Sequence, residues 1–71
     1  MRYTVVIERG PTSFGAYVPD LPGCVAAAET EQEVRRLIRE AISFHLEAMQ
    51  EEGLPIPESL SSAESVEVFV V

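Results

Sequence analysis

The sequence predicts an α+β fold of the order β-β-β-α-β, in which one long helix packs on one face of a four-stranded mixed sheet. Two observations predict it. Short segments of alternating apolar and polar residues lie near both ends of the chain, and one long segment carries apolar residues at spacings of three and four. Seventy-one residues are enough for one domain, which we expect to span residues 1–71.

Three strands are predicted in the first half of the chain, at residues 2–8, 14–18 and 24–29. The first two alternate and are rich in β-branched and aromatic residues, which favour strands. Gly10, Pro11 and Ser13 separate them and indicate a hairpin-type connection. The third strand, CVAAAE, has small side chains that leave room for a helix to lie across the sheet.

The stretch PDLPGC, residues 19–24, is predicted to be a rigid corner between the second and third strands. Pro22 and Gly23 fit the two central positions of a type II turn. Asp20 is expected to accept hydrogen bonds from nearby turn amides. We therefore interpret the stretch as a structural corner that fixes strand register, formed by Pro19, Asp20, Pro22, Gly23 and Cys24.

The long apolar stripe predicts a helix over residues 31–52. Thr30 and Glu33 have the spacing of a capping box, in which each side chain bonds the backbone N–H of the other residue. Gly53 is placed to end the helix in the left-handed conformation, and Pro55 prevents its continuation.

The segment VEVFVV, residues 66–71, predicts the fourth strand. Val66, Val68 and Val70 share one face, and Phe69 and Val71 share the other. Two apolar faces indicate a strand inside a sheet or at a subunit contact. A right-handed return through the helix would place it parallel to the first strand.

Twelve acidic residues against five arginines give a formal net charge of −7. Such a chain repels phosphate backbones, so we expect no direct nucleic-acid binding and instead a basic protein partner. A single cysteine is compatible with a reducing compartment, and no apolar run is long enough to span a membrane. We expect a cytoplasmic protein.

Two sets of residues could form a catalytic or metal site, and for both sets an ordinary structural or solvated role is favoured. Cys24 and His45 could form a thiol–imidazole pair, but both are expected to be apolar-face residues. Glu8, Asp20 and Glu29 could converge on a divalent metal, but they fall at strand ends and in a turn, where solvated acids are common. We expect no catalytic residue, no cofactor and no metal.

A partner or oligomer surface is expected where apolar and acidic residues remain uncovered. One helix covers only one side of a sheet, so the other apolar positions need a second surface, and self-association as a dimer or tetramer is the common solution. The residues expected at such a surface are Tyr17, Phe44, Glu47, Glu51 and Phe69.

In combination, these motifs resemble the HicB-like antitoxins of bacterial toxin–antitoxin pairs. The resemblance is carried by Tyr17, the PDLPGC corner, the helix start TEQE at residues 30–33, and the GLPIP tail at residues 53–57. It implies a truncated ribonuclease-H-like fold without catalytic acids. It also implies a function: neutralising HicA, a small basic ribonuclease of double-stranded-RNA-binding-domain shape, by covering its active site.

The family pattern typically adds a C-terminal helix-turn-helix or ribbon-helix-helix segment that binds the operator. This sequence shows no such segment, so we expect a stand-alone antitoxin-like domain. Two alternatives stay open at this point. One is a minimal metal-dependent nuclease or hydrolase that uses Glu8, Asp20 or Glu29. The other is an orphan oligomeric scaffold or ligand-binding domain without a toxin.

Overall fold

The computed structural model describes residues 1–70 and contains three strands followed by one long helix. The elements are β1 (Val6–Arg9), β2 (Phe14–Tyr17), β3 (Val25–Ala28) and α1 (Glu31–Glu51). The strands form one antiparallel sheet in the order β1-β2-β3. Because α1 packs mainly on β3 and β2, the molecule has two layers. The predicted α+β class is confirmed, with three strands in place of four.

The core lies between the helix and the β2–β3 half of the sheet. The helix contributes Val34 and Ile38, which are almost fully buried. The other buried residues come from β2 and the corner that follows it: Ala16, Val18, Leu21 and Cys24. Four of the six buried residues therefore belong to the short stretch 16–24, so the corner is part of the core.

The predicted helix start is confirmed, although only half of the capping box forms. The Thr30 hydroxyl accepts a hydrogen bond from the Glu33 backbone N–H at 3.1 Å. The Glu33 carboxylate does not return to Thr30. It accepts from the guanidinium of Arg36, three residues further along the helix. An arginine one turn away offers a charged partner for this carboxylate, and the reciprocal bond is lost.

The helix ends as its sequence predicts. Gly53 has a φ of +73° and follows the C-cap residue Glu52. The Gly53 N–H donates to the Gln50 carbonyl, and the Leu54 N–H donates to the Met49 carbonyl at 2.9 Å. These two bonds form a Schellman motif, which satisfies carbonyl groups that the last turn would otherwise leave without partners.

The predicted fourth strand is wrong for the residues that the structure describes. Residues 62–70 form no strand and are exposed, with Val66 at 70% and Phe69 at 92%. Val71 lies outside the described residues. Consequently, residues 1–70 show neither the parallel return beside β1 nor the ribonuclease-H-like sheet. Alternation in the sequence indicates an extended segment, but a strand also needs a distant edge to pair with, and local pattern does not supply one.

Candidate functional site

The corner between β2 and β3 consists of two consecutive turns. The Leu21 N–H donates to the Val18 carbonyl and the Cys24 N–H donates to the Leu21 carbonyl, both at 3.0 Å. The Val18 N–H in turn donates to the Cys24 carbonyl at 3.2 Å and closes the corner. Gly23 has a φ of +85°, as the third position of a type II turn requires. The predicted turn at Pro22 and Gly23 is confirmed, and the hydrogen bonds are consistent with the rigidity that the sequence predicts.

Asp20 has a role that the sequence did not predict. Its carboxylate accepts from the backbone N–H groups of Leu60 and Ser61 at 3.0 and 2.9 Å, and from the Ser61 hydroxyl at 2.8 Å. We expected nearby turn amides to donate to Asp20, and this prediction of its partners is wrong. The hydrogen bond from the Ser61 amide is the main reason that the pKa of Asp20 is lowered.

Residues 57–61 form a strap that runs from the end of the helix back to the sheet. Besides the contact with Asp20, the Tyr3 hydroxyl donates to the Pro57 carbonyl. The Thr4 hydroxyl donates to the Ser61 carbonyl at 2.7 Å. The strap thus joins the N-terminus, the corner and the C-terminal segment. Residues 3 and 4, predicted as part of the first strand, bind the strap instead of extending β1.

Cys24 and His45 occupy different parts of the structure. Cys24 is buried in the cluster with Val34 and Ile38, and burial raises the pKa of its thiol. His45 is half-buried and lies two helical turns beyond Ile38, about 10 Å along the helix axis. A buried thiol with a raised pKa is a poor nucleophile, so this pair does not form an activated site.

The three carboxylates considered for metal binding are also separated. Glu8 lies on β1, Glu29 follows β3 on the opposite edge of the sheet, and the Asp20 carboxylate binds the strap. Within the described part of the chain, no three histidine, cysteine, aspartate or glutamate side chains gather closely enough to hold a metal ion.

The net negative charge lies in the second half of the chain. Residues 1–39 carry five acidic residues and five arginines, whereas residues 40–71 carry seven acidic residues and no basic ones. The whole net charge of −7 therefore lies beyond Arg39. Counting charge along the chain, instead of over its whole length, would have shown this boundary from the sequence.

The C-terminal half of the helix presents an exposed aromatic ring among carboxylates. Phe44 is 76% exposed and lines a shallow recess with Glu40 and Glu47, together with Ser43 and Arg39. Glu51 is also exposed, and the last turn contains no basic residue. Phe44, Glu40, Glu47, Glu51 and Glu52 are called the acidic helix end below. Phe44, Glu47 and Glu51 were predicted at a partner surface, and Glu40 was not; the structure pairs Glu40 with Arg36 at 3.1 Å.

The sheet face away from the helix carries a second apolar patch. Strand register places Val6, Tyr17 and Val25 side by side across the three strands. Tyr17 is 40% exposed and Val25 64% exposed. Tyr17 therefore lies on the sheet layer and Phe44 on the helix layer, so the predicted surface residues do not form one site. Val6 and Val25 were not predicted at this surface. They are aligned with Tyr17 by the strand register, which the sequence alone does not give.

Comparisons with known proteins place the chain in a family. The family described as HicB_like antitoxin of bacterial toxin-antitoxin system matches residues 3–68. A solved chain from the "HicA3 and HicB3 toxin-antitoxin complex" superposes with a TM-score of 0.71 at 32% identity, covering 84% of this chain and 70% of that one.

Three curated proteins are similar in sequence. A protein of Haemophilus phage HP1 described as an uncharacterized 14.9 kDa protein is 41% identical over 59 residues, 83% of this chain. This chain spans only 44% of the length of that phage protein. A UPF0150 protein of Thermoplasma acidophilum is 34% identical over 80% of this chain and 84% of its own length. A UPF0150 protein of Helicobacter pylori is 35% identical over 76% and 75%, respectively.

Within residues 1–70, no helix combines the length and apolar character that a membrane crossing requires. The family match covers nearly the whole chain, and it agrees with the corner, helix start and tail that the structure describes. From these findings we conclude that the chain belongs to the HicB-like antitoxin family of bacterial toxin–antitoxin systems.

Proposed function

We propose that this chain is a binding module that neutralises a small, basic HicA-type ribonuclease by covering its active site. It acts by association and catalyses no reaction itself. The family supports an antitoxin role and a HicA-type partner. The observation that carries the proposed mechanism is the acidic helix end, where an exposed ring stands among carboxylates on a rigid helix.

The chemistry of this surface suits a cationic partner. A ribonuclease that binds an RNA backbone needs basic groups around its active site, and those groups are attracted by clustered carboxylates. Glu47, Glu51 and Glu52 have no opposing basic residue in the last turn, so their field extends into solvent. Long-range attraction of this kind raises the association rate and depends on ionic strength.

Phe44 supplies the apolar contact that charge alone does not give. Its ring is exposed, and it lines the same recess as Glu40 and Glu47. Buried aromatic residues surrounded by polar groups dominate the affinity of many interfaces. We therefore propose that Phe44 is the buried anchor of the interface with the toxin and that the glutamates form its polar rim.

The protein also self-associates as part of this function. Exposed apolar residues also lie outside the acidic helix end, for example Val66 and Phe69 in the C-terminal segment, and they need a second surface. The cytoplasm is the proposed location, because a HicA-type toxin acts on messenger RNA. A second copy and a toxin use different surfaces in this proposal, so both bind at once.

The test uses a purified HicA-type ribonuclease, the class of partner that the proposal names. Cleavage of RNA by the toxin is measured while the full chain is added, and affinity is measured by calorimetry at low and high salt. We expect stoichiometric inhibition, with Phe44→Ala weakening affinity about tenfold or more and Glu47→Lys mainly slowing association. Tyr17→Ala, on the sheet layer, is the matched control and should inhibit like the wild type.

Two results would contradict the proposal. Absence of binding between the chain and the toxin would remove the function itself. Full inhibition by Phe44→Ala, together with loss of inhibition by Tyr17→Ala, would move the toxin contact from the acidic helix end to the sheet face.

A further inference from the structure

A groove runs between β1 and α1 along the edge of the sheet where β1 has no neighbouring strand. It arises because the helix packs mainly on β3 and β2 and leaves the helix-facing side of β1 incompletely covered. The cavity has a volume of about 120 Å³. Its apolar floor is formed by Val5, Ile7, Ile38 and Ile42.

Arginines flank this groove. Arg35 and Arg39 line it on the helix side, and Arg2 lies at its continuation towards the N-terminus. Arg35 forms a long ion pair with Glu31, with a nitrogen–oxygen distance of 3.8 Å. Within residues 1–70, no carboxylate lies within ion-pair distance of Arg2 or Arg39. The groove is therefore apolar within and positively charged at its margin, on a protein that is otherwise acidic.

The C-terminal segment is complementary to this groove, because it is apolar and carries acidic residues. Residues 64–70, ESVEVFV, contain two glutamates, no basic residue and alternating valines. Val66, Val68 and Val70 are 70, 71 and 92% exposed, although valine favours a paired strand. An apolar segment this exposed needs a partner surface.

The shape of the molecule shows that this segment leaves the body. The radius of gyration is 14.2 Å and the longest dimension is 52 Å. A compact chain of 71 residues has a radius of gyration of about 11 Å. The strap binds Asp20 and Thr4 as far as Ser61, and every residue from 62 to 70 is exposed. An arm that projects in this way is placed to reach another molecule.

We propose that two copies of this chain exchange their C-terminal segments, so that residues 64–70 of each copy pair as a strand with β1 of the other and fill its groove. Strand addition to an exposed sheet edge satisfies the backbone groups of both segments. In this proposal the exchange is reciprocal, and each copy places its arm in the groove of the other. It therefore gives a closed two-fold dimer.

Side chains alternate between the two faces of the segment, and each face meets a suitable surface when the segment is added as a strand. Val66, Val68 and Val70 face the apolar floor, and Glu64, which has the same parity, faces the arginines at the margin. Phe69 has the opposite parity and extends the apolar row that begins with the half-buried Val6 on the other sheet face. Both apolar faces of the segment are then covered or joined to an apolar surface.

The first test measures the mass of the full chain in solution by light scattering and sedimentation over a wide concentration range. We expect a dimer for the wild type. Val68→Lys should weaken dimerisation about a hundredfold, because the dimer loses two buried valines at once. Val25→Lys is the matched control, since Val25 is also an exposed valine but lies on β3, away from the groove.

A charge-reversal experiment tests the specific contact between Arg39 and Glu64. Arg39→Glu should weaken the dimer because it repels Glu64, and Arg39→Glu combined with Glu64→Arg should restore it. Neither position is buried, so both variants should keep the helical circular dichroism of the wild type. The strand exchange rests on the self-association included in the proposed function. This experiment contains no toxin, so its failure would leave inhibition of the toxin standing.

Three outcomes would overturn the proposal. The first is a wild-type monomer at every concentration. The second is a dimer that Val68→Lys leaves intact. The third is a monomer whose residues 64–70 are protected from hydrogen exchange, since the arm would then occupy the groove of its own chain.

Discussion

The Asp20 carboxylate lies 2.9 Å from the backbone nitrogen of Ser61, 41 residues further along the chain, and also accepts from the Ser61 hydroxyl. This contact connects the corner with the strap and therefore fixes where the C-terminal segment begins. A turn residue that looks local in sequence thus makes a long-range contact.

Removing this carboxylate should loosen the strap. We expect Asp20→Ala to increase hydrogen exchange at the Leu60 and Ser61 amides and to lower the midpoint of urea unfolding. Asp20→Asn should do so less, because its carbonyl oxygen still accepts one hydrogen bond. Glu58→Ala is the control, since Glu58 is an exposed acid of the same strap. Unchanged exchange at Ser61 in Asp20→Ala would contradict the anchoring role.

The same contact predicts a loss of stability in acid. The pKa of Asp20 is lower in the folded protein than its ordinary value of 3.8, chiefly because the Ser61 amide donates to it. The stability that it contributes is therefore present above pH 3.8 and is lost as the pH falls through the lower, folded pKa. The pKa of Glu33 is also lowered, by its hydrogen bond with Arg36, and adds in the same direction.

Unfolding by urea should be followed between pH 2 and pH 7 for the wild type and Asp20→Asn. We expect the two curves of unfolding free energy against pH to converge at the acidic end. Parallel curves throughout this range would show that Asp20 does not titrate with folding.

Loss of the helix cap should destabilise the domain measurably. Thr30→Ala removes the acceptor for the Glu33 amide, which costs about 1 kcal/mol in typical helices. Thr30→Ser keeps the hydroxyl and should retain most of the stability. Urea denaturation followed by circular dichroism separates the two variants, and equal stability of both would show that the cap contributes nothing.

Leu21 should be the most sensitive position of the corner. Its side chain is 1% exposed and lies in the cluster with Val34 and Ile38. Leu21→Ala leaves a cavity and should cost about 2–5 kcal/mol, a large part of the stability of a chain this short. Leu21→Met preserves volume and should cost far less. Thermal unfolding of both variants provides the comparison, and a stable Leu21→Ala would contradict the corner's place in the core.

The buried thiol provides a reporter of this packing. Cys24 is 3% exposed and burial raises its pKa, so alkylation by iodoacetamide at neutral pH should be slow in the folded protein. Denaturation, or the Leu21→Ala substitution, should accelerate the reaction. Mass spectrometry of the labelled chain measures the rate. Rapid labelling of the folded wild type would show that the corner opens readily.

Local signals predicted most of the fold. The capping hydroxyl of Thr30, the stop at Gly53 and the turn at Gly23 are each determined by a few neighbouring residues, and all three are confirmed. The helix was expected at residues 31–52 and is observed at Glu31–Glu51. These features depend on short-range hydrogen bonds and backbone preferences, which a single sequence contains.

Features that depend on distant contacts were the ones that sequence reasoning missed. The C-terminal segment has strand-like alternation, yet its residues through Val70 have no strand partner in the structure. The partners of Asp20 lie 40 and 41 residues away. The alignment of Tyr17 with Val6 and Val25 follows from strand register. None of these is encoded by the spacing of nearby residues.

Because the net charge of −7 lies beyond Arg39, charge is distributed asymmetrically along the chain. The helix runs for about 32 Å, and its own macrodipole is negative at the same end as Glu47 and Glu51. In the field of a cationic protein, such a molecule experiences a torque before contact. Its collisions are therefore orientated, with the Phe44 end of the helix turned towards the partner.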